Sequence, residues 1–480
     1  MTSLLNHKSA FFAMAAATAL LVTGCDKDKL SPIPQTVLSD ASAFSTPARM
    51  QQQVFGVYSN LKSGQFLGGR GHVYQDVRGE DWVNVTTNGV TAFGVWNFTV
   101  GDNDNQVENY WSAGFANINR ANIVIEGIAA NASAVGTATA NAYIAEARFC
   151  RALSFFYLQS LYARRPFNQD PAAASVPLRL TPNKSPEAAN LARATQTQVF
   201  TQILDDLNFA ETNAPTTYGA VGDSNVVRVT KAAAIAFKMR VFMHMNRWAD
   251  VITEGNKLVS ATAPFISPSG RALALTPSVL TVFRGPYTSS ESIFSLPMTN
   301  TNAPGTQNGL GQYWTSEFAL NTAGIIADAN WKTTDARRVN FQSATTPPIR
   351  WTKFNDDLAN YVPILRYAET MLNLAEALAR NEAGTGVSAR ALALLNAVRQ
   401  RSDATTTFAP ADKNALIALI LNERRIELLG EGFRSLDVMR QVGTFGAKGS
   451  VGSVAPTALS YVWPIPASEL QLNSLMTPNN

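Results

Sequence analysis

Three alanine-rich segments of similar texture restrict the possible folds of this chain more than any other feature. In each of them, large apolar side chains recur at the spacing of a helix, with small alanines between them. The segments are Ala145–Leu158, Lys231–His244 and Tyr367–Arg380. A short break and another helical segment follow the second and the third, at Trp248–Ser260 and Ser388–Ser402. Because small residues let paired helices approach closely, the sequence predicts a scaffold of stacked helix-turn-helix units.

Four further helices extend this predicted scaffold. They cover Ala41–Leu61, Asn103–Ala129, Thr195–Thr212 and Ala411–Leu429. Asp412 lies near the start of the last of these helices, and Gly430 is expected to end it. The texture resembles tetratricopeptide repeats, although the strict period of those repeats is not kept.

Two regions between the helices have a different character. Residues 64–102 and 263–362 are rich in Gly, Thr, Asn, Pro and aromatic residues, and they contain strand-like runs at Val95–Val100 and Ser292–Leu296. Long structureless loops are uncommon in compact domains, and function often lies on loops that a rigid scaffold holds. We therefore predict a mostly α fold: a tetratricopeptide-like helical repeat scaffold that carries an irregular, loop-rich layer with short strands.

Composition excludes several classes of function. Of the 480 residues, 46% are hydrophobic and 15% are charged, which is too apolar for a disordered chain. The formal net charge of +4 is too small to indicate a surface that binds nucleic acid. Three His and two Cys leave little room for a histidine-rich metal centre or a disulfide framework. We expect no metal site, no cofactor and no nucleic-acid partner.

The N-terminus has the features of an export signal. Ala10–Val22 is nearly all apolar, but it is shorter than the roughly 20 residues that a membrane-spanning helix needs. The following Leu21–Cys25 resembles a bacterial lipobox. We predict a lipoprotein signal peptide over residues 1–24, lipidation of Cys25, and a polar, proline-containing tether over residues 25–36. The alternatives are an ordinary signal peptide or a core helix with an incidental cysteine.

Several sequence blocks together resemble the SusD/RagB-like nutrient-uptake lipoproteins of the Bacteroidetes outer membrane. They occur in the order of that family and span nearly the whole mature chain. The blocks are Trp111–Ile125, Ala145–Phe156, Arg366–Ala377, Leu395–Arg401, Glu423–Arg440 and Trp463–Glu469. One departure lies at Tyr162–Pro166, where Arg164 and Arg165 precede the proline and family members often carry a glycine.

The resemblance implies a binding protein and not an enzyme. Such a protein sits on the outer membrane facing the cell exterior, captures an oligosaccharide or sometimes a peptide, and passes it to a SusC-like TonB-dependent transporter. It also implies an N-terminal helical region over residues 37–262, a ligand-binding insertion layer over 263–362, and a C-terminal helical region over 363–480. Two alternatives are an all-α glycoside hydrolase and a tetratricopeptide-type scaffold for protein interactions.

Aromatic residues of the irregular regions are the candidate ligand contacts, since flat rings suit the C–H faces of sugars. Polar neighbours could bind hydroxyl groups, although packing between loops and helices is the alternative for each tryptophan. A turn with internal salt bridges is the alternative for Asp76–Trp82. The predicted ligand-binding residues are Arg78, Asp81, Trp82, Trp96, Asn97, Tyr287, Tyr313 and Trp314.

The C-terminal blocks contain two stripes, one of polar and charged residues and a second in which charges of both signs alternate. A catalytic pair of carboxylates would need one raised pKa, whereas each acid here has an arginine neighbour. We therefore predict a structural ion-pair network and no catalytic residues. The stripes are Arg366, Glu369, Asn373, Glu376 and Arg380, and Arg424, Glu427, Glu431, Arg434, Asp437 and Arg440.

Two smaller features have structural interpretations. The alternating acids of Asp102–Glu108 could suggest Ca²⁺ ligands, but the loop that a calcium site of this type needs is missing, so we predict helix capping. Cys150 lies among Phe149, Leu153 and Phe156, and we predict a buried thiol.

Overall fold

The structure is a computed structural model that describes residues 40–184, 190–220, 222–355 and 358–479. The predicted signal peptide, the lipidation of Cys25 and the tether lie outside the described residues. Within the described ranges, no helix combines the length and apolarity needed to cross a membrane.

Long helices make up the frame of the described chain. They are α1 (Pro47–Leu61), α2 (Asn105–Ala130), α3 (Thr137–Tyr162), α4 (Gln196–Asn213), α5 (Lys231–His244), α6 (Trp248–Leu258), α7 (Tyr367–Asn381), α8 (Ala389–Ser402) and α9 (Lys413–Glu427). Shorter helices lie at Asp40–Ala43, Arg70–Val77, Phe93–Trp96, Ser224–Val227, Leu310–Gln312, Ala336–Phe341, Arg434–Arg440 and Ala467–Leu472. A π-helical turn covers Tyr313–Glu317, and 3₁₀ turns cover Ala132–Ala134, Val279–Phe283, Ile325–Ala327 and Leu459–Tyr461.

The long helices stack in chain order, each one against the next. This order runs from α1 to α7, and both α8 and α9 pack on α7. Small residues allow close approach: a Cβ atom on Gly114 of α2 would lie 2.8 Å from Leu158 of α3, and one on Gly255 of α6 would lie 2.9 Å from Leu374 of α7. The predicted helical scaffold is confirmed.

Helix starts follow the capping chemistry of the sequence. Thr195 and Gln198 form a reciprocal capping box at the start of α4. Asp412, which the sequence places near the start of α9, caps that helix: its carboxylate accepts the backbone N–H of Ala415 at 2.8 Å. Asp104 precedes α2 as predicted, but its carboxylate accepts the N–H of Gly101 and does not cap the helix.

Two short antiparallel ribbons form the strand part of the irregular layer. Strand β1 (Trp82–Asn84) pairs with β3 (Phe318–Leu320), with Trp82 opposite Leu320. Strand β2 (Ser292–Leu296) pairs with β4 (Val362–Arg366), with Leu296 opposite Val362. The strand predicted at Ser292–Leu296 is therefore confirmed, and β4 runs directly into α7.

The strand predicted at Val95–Val100 is wrong, because a helical turn occupies Phe93–Trp96. Val95 and Trp96 are both buried. No described strand pairs with this segment, and its backbone N–H groups bond within the helical turn instead, from Trp96 to Ala92 and from Asn97 to Phe93. A helical turn can place both side chains on the protein side.

A buried ion-pair network joins the irregular layer to the C-terminal helices, as the charged stripes predicted. Arg366 contacts Glu291 and Glu427 at 2.7 Å and Glu431 at 2.6 Å. The connected cations are Arg337, Lys353, Arg366, Arg399 and Arg401, and the acids are Glu291, Asp335, Glu423, Glu427 and Glu431. Equal numbers of opposite charges let this cluster exist away from water.

Burial alone would raise the pKa of Glu427, but Arg401, Arg366 and Arg337 lower it well below its ordinary value. The carboxylate is thus held ionised, which fits a structural role and not that of a catalytic acid. Arg440 of the second stripe likewise contacts Glu376 of the first stripe at 2.7 Å and Asp437 of its own stripe at 2.8 Å. Cys150 is a buried free thiol, as predicted.

Candidate functional site

Most of the predicted ligand contacts lie in the core of the irregular layer. Trp82 and Trp314 stack with ring centroids 4.1 Å apart and an interplanar angle of 22°. Both side chains are 0% exposed, and Tyr313 is buried beside them with its hydroxyl donating to the carbonyl of Gln307 at 2.9 Å. These rings offer no face to a ligand, so their placement corrects the prediction and supports packing between loops.

Trp96 is also a packing residue. Its indole Nε1 donates to the carbonyl of Trp82 at 2.8 Å, and the side chain is only 5% exposed. Asn97 follows at the end of the same helical turn and is half-buried. The structure therefore brings Trp96 next to Trp82, but as a support for strand β1.

Arg78 and Asp81 hold distant parts of the chain together and do not reach solvent. Asp81 forms a two-point ion pair with Arg425, at 2.8 and 2.5 Å, and accepts the backbone N–H of Ile325 at 2.7 Å. Arg78 donates to Ser435 Oγ at 2.9 Å and lies 4.7 Å from the ring centre of Phe445. Burial lowers the pKa of Arg78 to about 10. Neither side chain is placed to contact a ligand.

The salt bridges around Asp76–Trp82 are not internal to that turn. Glu80 pairs with Arg434 at 2.5 Å and with Arg425 at 3.0 Å, both from the C-terminal blocks. This alternative interpretation of the turn is therefore wrong, because the partners come from residues more than three hundred positions away.

Tyr287 is the predicted aromatic contact that reaches the surface. It is half-buried and stacks on Tyr361, with ring centroids 4.6 Å apart and an interplanar angle of 15°. Its backbone φ of +62° lies in the left-handed region, which is uncommon for a residue with a side chain. Such conformations persist where the surrounding structure holds them, often at functional positions.

Polar groups hold the two tyrosine hydroxyls in place. Asn360 donates its amide Nδ2 to the Tyr287 hydroxyl at 3.0 Å. The Tyr361 hydroxyl donates to Asp223 Oδ2 at 2.7 Å. Burial and the Asp223 carboxylate raise the pKa of Tyr361 well above its ordinary value, so this phenol remains protonated and a donor. The rings are consequently rigid and have hydrogen-bonding groups at their edges.

A third tyrosine, Tyr218, lies in the same connection between α4 and α5 as Asp223, close in sequence to the short helix Ser224–Val227. Tyr218 is half-buried, and its backbone N–H donates to Asn225 Oδ1 at 2.7 Å. The guanidinium of Arg228 lies 4.1 Å from the centre of the Tyr218 ring. We call Asp223, Tyr287, Asn360 and Tyr361 the tyrosine site; Tyr218 precedes Asp223 in the chain, but its contacts are with Asn225, Arg228 and Val229.

Sequence reasoning found Tyr287 and missed the other members of the tyrosine site. Tyr361 lies within the irregular region and directly before strand β4, so its place in that region was the available signal. Asp223 comes from the connection between α4 and α5, which no motif singles out. Rigid aromatic faces with an amide and a carboxylate beside them can stack against a sugar ring and bind its hydroxyl groups.

A second polar cleft, of about 410 Å³, lies along α9. Asp328, Asn422, Arg425 and Arg434 line it, but its two arginines already pair with Glu80 and Asp81. No aromatic ring lines this cleft among the described residues. No group of three or more metal-ligating His, Cys, Asp or Glu side chains occurs in the described part of the chain.

Two family comparisons cover most of the chain. Residues 297–480 match the SusD family, and residues 34–243 match a family described as starch-binding and associating with the outer membrane. SusD-like protein P2 of Formosa agariphila is 25% identical over 96% of this chain and 97% of its own length.

Solved structures share the fold over nearly the whole chain. A SusD superfamily protein from Bacteroides fragilis is 35% identical, with a TM-score of 0.81 over 91% of this chain and 100% of the other. One from Bacteroides thetaiotaomicron is 21% identical, with a TM-score of 0.79 over 91% and 100% of the two chains. A laminarin-binding SusD-like protein is 21% identical, with a TM-score of 0.68 over 91% and 99%. The chain belongs to the SusD/RagB-like family.

Proposed function

We propose that this protein is a glycan-binding lipoprotein of the outer membrane that captures an oligosaccharide at the tyrosine site. The observation that carries the proposal is the stack of Tyr287 on Tyr361, which is half-buried and fixed by Asn360 and Asp223. A rigid platform loses little conformational entropy when a ligand binds, so stacking on it contributes to affinity.

Binding at this site needs no covalent step. The C–H face of a sugar ring packs on a tyrosine ring, and its hydroxyl groups exchange water for the carboxylate of Asp223, while the buried Asn360 holds the Tyr287 hydroxyl in place. The contacts are few and partly solvated, so the ligand can be released as readily as it is captured. This suits a protein that passes its ligand on.

The relatives support the choice of a glycan as ligand. One solved neighbour is a laminarin-binding protein, and one matching family is described as starch-binding and associating with the outer membrane. A peptide is the other ligand class that we consider, and it is an outcome of the experiment below.

The rest of the proposal concerns location and partner. Lipidation of Cys25 and the tether over residues 25–36 would hold the protein on the outer membrane, facing the exterior, beside a SusC-like TonB-dependent transporter. The layer over residues 263–362 supplies Tyr287, Asn360 and Tyr361, whereas Asp223 comes from the N-terminal region over 37–262. The proposed site therefore crosses the proposed boundary between these regions.

Affinity electrophoresis tests the proposal with residues 26–480 and gels that contain single polysaccharides, chosen after a glycan-array screen. The expected result is retardation by at least one glycan, with a loss of about tenfold or more in affinity for Tyr361→Ala and Tyr287→Ala. Trp248→Ala is the matched control, since Trp248 is a half-buried aromatic residue on α6, outside the irregular layer. Equal retardation of all variants would contradict the site.

The same glycan, incubated with the protein and examined for cleavage products, separates the proposal from the glycoside hydrolase alternative. We expect intact oligosaccharide throughout, and turnover would contradict a pure binding role. If no glycan retards the protein and peptides from a peptide array bind it, the ligand is a peptide and not a glycan.

A further inference from the structure

A second pocket lies among the long helices, lined by none of the residues of the tyrosine site. Its lining comes from the end of α3, the segment after it, the start of α4, the end of α5 and the helix Arg434–Arg440. The pocket is small, with a cavity volume of about 40 Å³, and it is partly open to solvent. Its apolar walls are Phe156, Pro166, Phe167, Phe200, Leu436 and Met439.

Edge-to-face ring contacts make these walls rigid. Phe167 and Phe200 pack with centroids 4.8 Å apart, and Phe156 packs on His244 at 4.9 Å. Burial, followed by the charge of Arg440, lowers the pKa of His244 to about 3, so the imidazole is neutral at physiological pH. The histidine thus extends the aromatic wall and adds no charge to the pocket.

Two polar side chains in this pocket have N–H donors without an acceptor among the described residues. Gln159 is 4% exposed, and its Oε1 accepts from Ser175 Oγ at 3.3 Å, but its Nε2 has no hydrogen-bond partner among the described residues. Arg165 is half-buried in the pocket lining and forms no hydrogen bond or ion pair within the described ranges. By contrast, Arg440 at the pocket floor is paired with Glu376 and Asp437.

A buried amide N–H without an acceptor is costly, and so is a partly buried cation without an anion. An anion with two acceptor oxygens in this pocket would offer an acceptor to each of these groups. The guanidinium of arginine binds a carboxylate through two parallel hydrogen bonds. The aromatic walls around these donors suit an apolar body and not a strongly hydrated one.

We propose that this pocket binds a carboxylate that is attached to a small apolar or aromatic group. Arg165 and Gln159 bind the carboxylate, and the apolar part packs against the phenylalanines where the pocket opens to solvent. The site is distinct from the tyrosine site, and the proposal does not depend on glycan binding. Such a carboxylate is present both in free small acids and at the C-terminus of a peptide that ends in an apolar residue.

Isothermal titration and ligand-observed NMR with residues 26–480 test this proposal with paired probes. The first pair is 3-phenylpropionate against its uncharged amide, 3-phenylpropanamide. The second pair is a short peptide that ends in Phe, with a free or an amidated C-terminus. We expect each acid to bind at least tenfold more tightly than its amide. If only the free acid binds, the pocket serves small molecules; if the peptide acid binds as tightly, it serves chain ends.

Two variants and a matched control locate the binding. Arg165→Gln and Gln159→Met should each weaken binding of the acid, by about tenfold for the arginine, while circular dichroism and the Tm remain close to those of the parent. Arg164→Gln is the control, because Arg164 is the exposed neighbour of Arg165 and does not line the pocket. Arg164→Gln should change the affinity for the acid less than twofold, and Tyr361→Ala should leave that affinity unchanged.

Three results would overturn the proposal. They are equal affinity for acid and amide, no binding of either acid at millimolar concentration, and equal loss of affinity in Arg164→Gln and Arg165→Gln. The last result would mean that the general positive charge at the rim of the pocket, and not Arg165 itself, accounts for the binding of the acid.

Discussion

The hydroxyl of Tyr361 donates to Asp223, a residue 138 positions earlier in the chain, while the Tyr361 ring stacks on Tyr287. One side chain thus joins the connection between α4 and α5 to the irregular layer. The hydrogen bond positions the ring, and the ring forms the surface that we propose as the glycan platform. These two contributions can be separated by mutation.

Tyr361→Phe removes the hydrogen bond to Asp223 and keeps the ring. A hydrogen bond to a charged group contributes about 1.5–3 kcal/mol to stability, and part of this holds the Tyr361 ring in position, so we expect glycan affinity to fall by roughly threefold to tenfold. Tyr361→Ala also removes the ring that stacks on Tyr287, and we expect a larger loss of glycan affinity. Titration with the glycan identified by the array measures both. Equal affinities of Tyr361→Phe and Tyr361→Ala would mean that the ring face contributes nothing.

Trp314→Ala should affect stability and not binding. The Trp314 side chain is fully buried against Trp82, and truncation of a buried tryptophan costs about 3–5 kcal/mol because it leaves a cavity. We expect a clear decrease in Tm, with glycan affinity unchanged at a temperature where the variant is folded. A selective loss of affinity at unchanged Tm would instead place Trp314 in the ligand site.

Helices were predictable from the sequence because their pattern is local. Lys231–His244 has the same bounds in the structure as in the prediction, since alanines and large apolar residues recur there with the helical period. The strand Ser292–Leu296 was predictable for a similar reason, being a short run rich in apolar residues. Val95–Val100 has comparable residues but no partner strand among those described, and local sequence carries no information about partners.

The candidate site was less predictable because burial in an irregular layer depends on contacts between distant segments. Trp314 and Tyr287 are both aromatic residues in glycine-containing and proline-containing surroundings. One is covered by Trp82 and the other is left at the surface. No periodicity distinguishes them, so composition could indicate an aromatic layer but not which ring a ligand could reach.

Arg366→Met tests the buried ion-pair network. Arg366 contacts Glu291, Glu427 and Glu431, and its removal leaves buried carboxylates with too little positive charge. Removing one partner from a buried network typically costs about 3–5 kcal/mol. Thermal unfolding followed by circular dichroism should show a large decrease in Tm.

Arg247→Met is the control for that variant, because the Arg247–Asp250 pair is exposed at the start of α6. An exposed pair contributes about 0–1 kcal/mol, so the Tm should change little. If the two variants had the same Tm, the network around Arg366 would not be a main source of stability.

Asp76 predicts a pH dependence of stability. Its Oδ1 accepts the backbone N–H groups of Phe433 and Arg434 at 2.9 and 3.0 Å, whereas Oδ2 is buried without a partner among the described residues. Burial raises the pKa of Asp76 to about 7, above the value of about 4 expected in an unfolded chain. Between these two values the folded state binds more protons, so the contribution of Asp76 to the free energy of unfolding falls as pH rises from about 4 to about 7.

Asp76→Asn removes this titration and keeps an oxygen acceptor for the two N–H groups. The variant should therefore gain stability relative to the parent as pH rises through this window, by up to about 4 kcal/mol, since one pKa unit corresponds to about 1.4 kcal/mol. Denaturant unfolding at pH 5 and pH 8 measures the difference, with Asp205→Asn on the exposed face of α4 as the control. A stability difference between Asp76→Asn and the parent that is the same at both pH values would show that the Asp76 carboxyl does not titrate in this range.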